Sequence, residues 1–325
     1  SPSQNLSALH VFPITLTLMV GTAALPPAII RFYTVPKASD ARWSAGWALV
    51  FIGLLYTTAP AVAVFSKYNL LNTLANKPVE EVRQIDWVQK WEQTGLLKLQ
   101  DKNGDGILQM SANPDVNEVT IDRDIIVLST PEVAKLSPFI VGLVAAGGLA
   151  AALSTAAGLL IVIASAISHD LYTRLINPGA SEATKLLIAR VVIFLVVVLA
   201  APFGINPPAF IAQLVAFAFG LAASTFFPAI LLGIFDRRMN MQGAVAGMIV
   251  GLVFTASYII GTKYLGWPNF ILGITAEGIG AIGMLLNFVV AYLVSRATPP
   301  PPEEIQHLVD EIRIPKGSAG SALEH

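Results

Sequence analysis

The chain has 325 residues, 54% hydrophobic and 13% charged, with 20 Lys and Arg against 21 Asp and Glu for a net charge of −1. A soluble globular domain carries about 25% charged residues, so this composition and a mean hydropathy of +0.67 point to a membrane protein. The balanced charge gives no basic footprint for nucleic acid, and the absence of cysteine excludes disulfides and thiolate metal sites.

In chain order, the first apolar block runs from about Leu9 to Tyr33 and contains Pro13, Gly21, Pro26 and Pro27. These residues interrupt the helical hydrogen-bond ladder within the membrane, which is tolerated where neighbours or a cavity satisfy the freed backbone groups. A second block, Ala45 to Phe65, reads as a plain spanning helix. A polar segment follows, Ser66 to Lys135, in which Val79 to Leu99 has the spacing of an amphipathic helix. The third block, Leu136 to Tyr172, has no Asp, Glu, Lys or Arg between Lys135 and Asp170. A crossing needs about 20 helical residues, so this is a long helix, and its Gly- and Ala-rich first half permits close helix approach. Further spans are expected at Leu186–Phe203, Ala209–Phe235, Gly243–Gly261 and Phe270–Val294, before a polar tail opened by a proline run. The organisation is therefore 1–65, two membrane helices with the first one broken; 66–135, an extracytoplasmic loop; 136–296, five membrane helices; and 297–325, a cytoplasmic tail.

Basic residues in short loops set the orientation. Arg31, Lys37 and Arg42 follow the first span, Arg174 and Lys185 the third, Arg237 and Arg238 the fifth, and Arg296 the seventh. The opposite turns hold no base at Pro202–Pro208 and only Lys263 at Thr262–Asn269. The tail is then inside and residues 66–135 outside. Ser1 is not Met and no signal peptide precedes it, so the chain reads as the later part of a longer protein. Its closing Leu-Glu-His is native or a vector remnant.

Two patterns carry chemistry. Ser154 and Thr155 are adjacent hydroxyls midway along the third block; they either hold something polar or bond back to the preceding turn. Asp101-Lys102-Asn103-Gly104-Asp105-Gly106 has the first, third, fifth and sixth positions of a calcium loop, and Leu108 sits at its hydrophobic position. Ala112 stands where the bidentate Glu belongs, with Asp115 or Glu118 as substitutes in a longer loop. The expected calcium ligands are Asp101, Asn103, Asp105, Ile107 and Gln109; the alternative is a Gly- and Asp-rich turn.

The stretch GIFDRRMNMQGAVAGMIVGLV, with Gly233-Ile234, Arg238, Gly243-Ala244, Gly247 and Gly251, resembles a signature of the sodium:solute symporter family. ALPPAIIRFYTVP is similar to the GLPH-type segment of that family's acetate-permease branch, differing by Ala24 for Gly and Pro27 for His. Leu153 to Tyr172 resembles the family's sodium-site helix, and WEQTGLLKLQDKNGDG resembles an insert of uncharacterised symporters in that branch. The resemblance implies an all-α integral membrane protein of LeuT-like inverted-repeat fold. Spans one to five would be the second repeat, spans six and seven peripheral additions, and the first repeat would be absent.

By position in that family, Na+ is the coupling ion and its ligands are the Ser154 and Thr155 hydroxyls with the Ala151 carbonyl. Oxygen donors in a neutral site suit a hard cation that must leave again. The substrate side is implied at Thr17, Gly21, Thr22, Ala23 and Ala24 of the broken helix, facing Ser224 and Thr225. These small residues equally serve helix packing. No ionisable residue lies deeper than about a turn in a span except Glu277, so an anionic solute would rest on backbone and hydroxyl donors. The function implied is sodium-coupled symport of a small organic solute, a short monocarboxylate, in a bacterial inner membrane. Its partners are the bilayer, the solute, the missing N-terminal repeat and a small membrane subunit, with no nucleic acid. The alternative is a transporter-like sensor portion of a signalling protein. No paired intramembrane acid or His supports an enzyme.

Overall fold

The structure is a computed structural model that describes residues 8–30 and 35–312. Arg31, the end of the first apolar block and the tail beyond 312, with its Leu-Glu-His, lie outside the described residues. Seven helices among the described residues are long and apolar enough to cross a membrane, which makes this an all-α integral membrane architecture. The chain divides into two compact units, one holding residues 34–210 and the other residues 6–33 with 211–325.

In the first unit, α3 (Ala38–Leu74) has 37 residues. At 1.5 Å per residue that is about 55 Å, well beyond a hydrocarbon core of about 30 Å. The expected Ala45–Phe65 span is therefore too short: the helix runs on through Lys67 and Asn69 because Leu70 and Leu74 are buried in a small core outside the membrane stretch. That core adds Trp87, Val88 and Trp91 of α5 (Asp86–Gln93), whose two indoles meet edge to face at 5.2 Å. Val79 to Leu99 is not one helix. It is α4 (Val79–Arg83), α5 and strand β1 (Leu97–Leu99), with Gly95 at φ 75 ending the helical run. A left-handed residue there stops the coil at little steric cost because it is glycine. Strand β1 pairs antiparallel with β2 (Val119–Ile121), Leu97 opposite Ile121. Helix α6 (Ile126–Val133) is pinned to α3 by the Ser66–Thr130 hydroxyl pair.

Helix α7 (Pro138–Ser165) continues directly into a π-helix, Ala166–Ile176, rather than ending at Tyr172. The Thr173 hydroxyl donates to the Ser168 carbonyl five residues back, at 2.8 Å. Next, α8 (Glu182–Ile205) is capped by Ser181, whose hydroxyl accepts from the Thr184 N–H. That start lies four residues before the expected one, which places Arg190 two turns inside α8.

The second unit packs α1 (Ala8–Ala24), α9 (Ile211–Phe235), α10 (Met241–Tyr264) and α11 (Gly280–Ala297). Thr17, Val20, Gly21 and Ala24 form the buried face of α1. A Cβ on Gly21 would strike the Phe219 backbone, so α1 and α9 are in direct backbone contact there. Gly243, Gly247 and Gly251 recur every fourth residue on α10 and meet Ala291 and Ser295, Asn287, and Ser224 in turn. Small residues at this spacing let membrane helices approach closely. The seventh span begins ten residues later than expected. Residues 270–279 are apolar but irregular, with Leu272 and Gly273 at φ 50 and 70. The tail holds a further helix, α12 (Glu303–Glu311), tied to the α9–α10 turn by Arg237 and Asp310 at 2.6 Å.

Candidate functional site

On α7 the Thr155 hydroxyl donates to the Ala151 carbonyl at 2.9 Å, so two of the three expected sodium ligands touch each other. Ser154 is exposed and its hydroxyl has no partner among the described residues. Within its own unit this face of α7 stays open, as does most of the helix. Thr155 thus makes the back-bond that Thr commonly makes in helices, while keeping its lone pairs free. The donor set is two hydroxyls and a carbonyl, all neutral oxygens, which fits a hard monovalent cation.

The expected solute residues of α1 divide by face. Thr17 is fully buried: its hydroxyl donates to the Gly278 carbonyl at 3.0 Å and accepts from the Ala281 N–H at 2.9 Å. The residue before α11 is Ile279, which has no capping oxygen, so Thr17 caps α11 from another helix. Gly21 and Ala24 face α9 with it, whereas Thr22 and Ala23 are exposed on the far side. Of the expected interruptions at Pro13, Gly21, Pro26 and Pro27, the break falls at Leu25, just before the proline pair, between α1 and α2 (Pro26–Ile30), while Pro13 and Gly21 lie within α1. Pro26 and Pro27 have no N–H, so the Thr22 and Ala23 carbonyls lose their α-helical donors. The Thr22 hydroxyl donates back to Leu18 at 2.7 Å. The break therefore presents oxygens. Beside it, Leu25, Pro26, Thr225, Met248 and Leu252 line a cavity of about 520 Å³ with almost wholly apolar walls.

Ser224 and Thr225 are both buried, and both hydroxyls donate to the Leu221 carbonyl, at 3.1 and 2.6 Å. Their own carbonyls receive the Asn287 amide, at 2.8 and 2.9 Å. Asn287 Oδ1 and the Thr255 hydroxyl are buried without partners among the described residues. Reasoning from sequence missed both; the available signal was a lone Asn in an apolar helix facing one that carries Pro228.

Glu277 lies in the irregular segment before α11, with Lys263 at 2.9 Å and the Gln213 amide at 2.6 Å. Burial pushes its carboxyl up, but the hydrogen bonds from Lys263 and Gln213 help bring it below the usual value. The cluster fastens the start of α9, the end of α10 and the approach to α11.

In the 101–109 loop, Asp101 accepts from the Gly104 and Gly106 N–H at 2.7 and 2.9 Å. The Asn103 amide donates to Asp105 at 2.8 Å, and Gln109 does so at 2.9 Å. The Ile107 N–H and Asn103 hold the Asp105 carboxyl below its ordinary range. Gly104 and Gly106, at φ 76 and 75, make the tight reversal. The buried Glu118 carboxylate accepts from the Lys102 and Gln109 N–H, both at 2.9 Å, and so braces the loop. Among the described residues no three Asp, Glu, His or Cys converge as a metal-binding group.

Residues 110–251 match the model of the sodium:solute symporter family. That segment is similar to the sodium:solute symporter family. It includes α7 with Ala151, Ser154 and Thr155, and α9 with Ser224 and Thr225. The chain is also 41% identical over 313 residues to an uncharacterized symporter of Cupriavidus necator, covering 94% of this chain and 45% of that protein. A monocarboxylic acid transporter of Corynebacterium glutamicum is 30% identical over 257 residues, 75% of this chain and 37% of that protein. The chain thus spans less than half the length of these curated relatives.

Proposed function

We propose that this chain is the second-repeat portion of a sodium-coupled symporter for a short monocarboxylate, working by alternating access in a bacterial inner membrane with a LeuT-like arrangement. The observation that carries the reading is the exposed oxygen set on α7, Ala151 carbonyl, Ser154 and Thr155, inside the matched symporter segment. The relative named as a monocarboxylic acid transporter supports the solute class. The remaining length of the relatives would supply the first repeat and the other half of each site, as expected where sites form at a repeat interface.

Sodium, when bound, would supply positive charge at the site, and its flow down its own gradient would drive the solute. The chain's own residues do the rest. Ser154, Thr155 and the Ala151 carbonyl replace water around the ion. The oxygen-rich break at Thr22–Ala23 repels an anion on its own, which makes carboxylate binding depend on a cation. Ser224 and Thr225 would donate to a carboxylate only by turning their hydroxyls from the Leu221 carbonyl that now holds both protons, while Gly21, Ala24 and Thr17 hold α1 in place. The 101–109 loop, through Asp101, Asn103, Asp105, the Ile107 carbonyl and Gln109, would take calcium weakly. The bilayer, the solute, the first repeat and a small membrane subunit complete the partners.

The test is uptake of a panel of radiolabelled short carboxylates by cells producing the full-length protein, with sodium or choline outside. Sodium-dependent uptake of at least one of them is expected. Uptake indifferent to sodium would defeat the coupling, and no uptake of any carboxylate would defeat the solute class.

A further inference from the structure

A proline inside a helix removes one backbone donor and strands the carbonyl four residues earlier. In α9 that proline is Pro228, and the stranded carbonyl belongs to Ser224. In a membrane interior no water is at hand to satisfy such a group. Asn287 reaches across from α11 and donates to the Ser224 carbonyl at 2.8 Å and to the Thr225 carbonyl at 2.9 Å. Serine, threonine and asparagine are all buried here, and the amide has a single orientation that serves both carbonyls.

The arrangement is costly in two ways. Asn287 Oδ1 is left buried and unpartnered. In addition, α10 has to present glycine at both neighbouring turns, because a Cβ on Gly247 would strike Asn287 Oδ1 and one on Gly251 would strike the Ser224 carbonyl. With alanine at position 228, the residue's own N–H would serve the Ser224 carbonyl. The carbonyls that Asn287 serves belong to the two hydroxyl residues, one of which, Thr225, lines the cavity beside the α1–α2 break.

We propose that Asn287 is the positioning residue of the solute site: its amide replaces the N–H missing at Pro228 and fixes the Ser224–Thr225 turn in its working geometry. This rests on the reading of Ser224 and Thr225 as solute-facing residues. Asn287 does not touch the solute; it acts through the two carbonyls.

The experiment is a double-mutant cycle in the full-length protein, with Asn287→Ala, Pro228→Ala and their combination, and with Asn287→Asp as a variant that keeps the volume. Each is measured by thermal unfolding in detergent and by the half-saturating concentration of radiolabelled acetate. Asn287→Ala should raise half-saturation about tenfold, the scale of one buried hydrogen-bonding group left unmatched, with maximal rate changed far less. Asp places a carboxylate against two carbonyls and should be at least as harmful. With Pro228→Ala, the N–H of residue 228 serves the Ser224 carbonyl, so the further effect of Asn287→Ala should fall to about threefold or less, and the melting shifts should be coupled in the same sense. Additive melting shifts would overturn the proposal. Coupled melting with an unchanged half-saturation for Asn287→Ala and Asn287→Asp would overturn the positioning role. If the parent protein takes up no solute, it is the transport reading that has failed, and the melting cycle alone still decides whether Asn287 stands in for the Pro228 N–H.

Discussion

Replacing Thr17 by Val keeps the outline of the side chain and deletes two hydrogen bonds at once. The hydroxyl donates to the Gly278 carbonyl and accepts from the Ala281 N–H, and the residue is fully buried. Hydrogen bonds between membrane helices average about 0.6 kcal/mol each, which sets a floor of about 1.2 kcal/mol for the pair. A buried group left without any partner costs about 1–3 kcal/mol, and two such groups set a ceiling of about 6 kcal/mol. The geometry places the loss in the upper half of that range, because Thr17 is fully buried with Gly220 and Gly280 close against its methyl. Thr17→Ser retains the hydroxyl and gives up one methyl, for about 1 kcal/mol. Thermal unfolding of the purified full-length protein should therefore rank wild type above Thr17→Ser and both well above Thr17→Val. A Thr17→Val protein as stable as wild type would refute the cap. So would one that melts normally but loses solute affinity, because Thr17 would then be a solute contact alone.

Gly251→Ala should destabilise the second unit by about 1–3 kcal/mol, the usual cost of overpacking, whereas Gly46→Ala, with nothing within 4 Å, should be neutral or better in the same unfolding assay. Glu277 is held below its ordinary value, so its contribution is complete above pH 4.5 and is lost as pH falls through the lowered folded value; unfolding followed against pH should show that acid loss in wild type and not in Glu277→Gln. Calcium titration of the full-length protein, followed by loop fluorescence from Trp87 and Trp91, should show weak binding at roughly 10⁻⁴–10⁻³ M, abolished by Asp101→Ala or Asp105→Ala, and an unchanged signal at millimolar calcium would remove that site.

The spans were readable because membrane helices are long uninterrupted apolar runs, and seven such runs stand in both the sequence and the structure. Pro26 and Pro27 likewise announced the break in the first span, since two adjacent residues without N–H groups cannot continue a helix. The limits of apolarity as a signal appear at residues 270–279, which are as apolar as a span yet irregular, because hydropathy does not register the positive φ of Leu272 and Gly273. The opposite error occurred at α3, where Lys67, Asn69 and Asn72 look like the start of a loop while Leu70 and Leu74 hold the helix to a small soluble core. The roles of individual hydroxyls were not legible at all. Thr17, Thr22 and Thr155 sit in similar apolar settings, yet one caps a distant helix and two bond to their own. Only the packing of one helix against another distinguishes them, as it does the reach of Asn287 to a carbonyl 63 residues away.

The central claim is that the oxygens of Ala151, Ser154 and Thr155 hold the coupling ion, and sodium dependence of uptake by the full-length protein tests it most directly. Thr155→Ser keeps the oxygen and Thr155→Val keeps the shape. The sodium concentration for half-maximal uptake should stay near the wild-type value in the Ser variant. In the Val variant and in Thr155→Ala it should rise about 5- to 150-fold, the equivalent of about 1–3 kcal/mol for one lost oxygen ligand. Equal sodium dependence in all four proteins, or a Val variant that behaves like wild type while Ser does not, would contradict it.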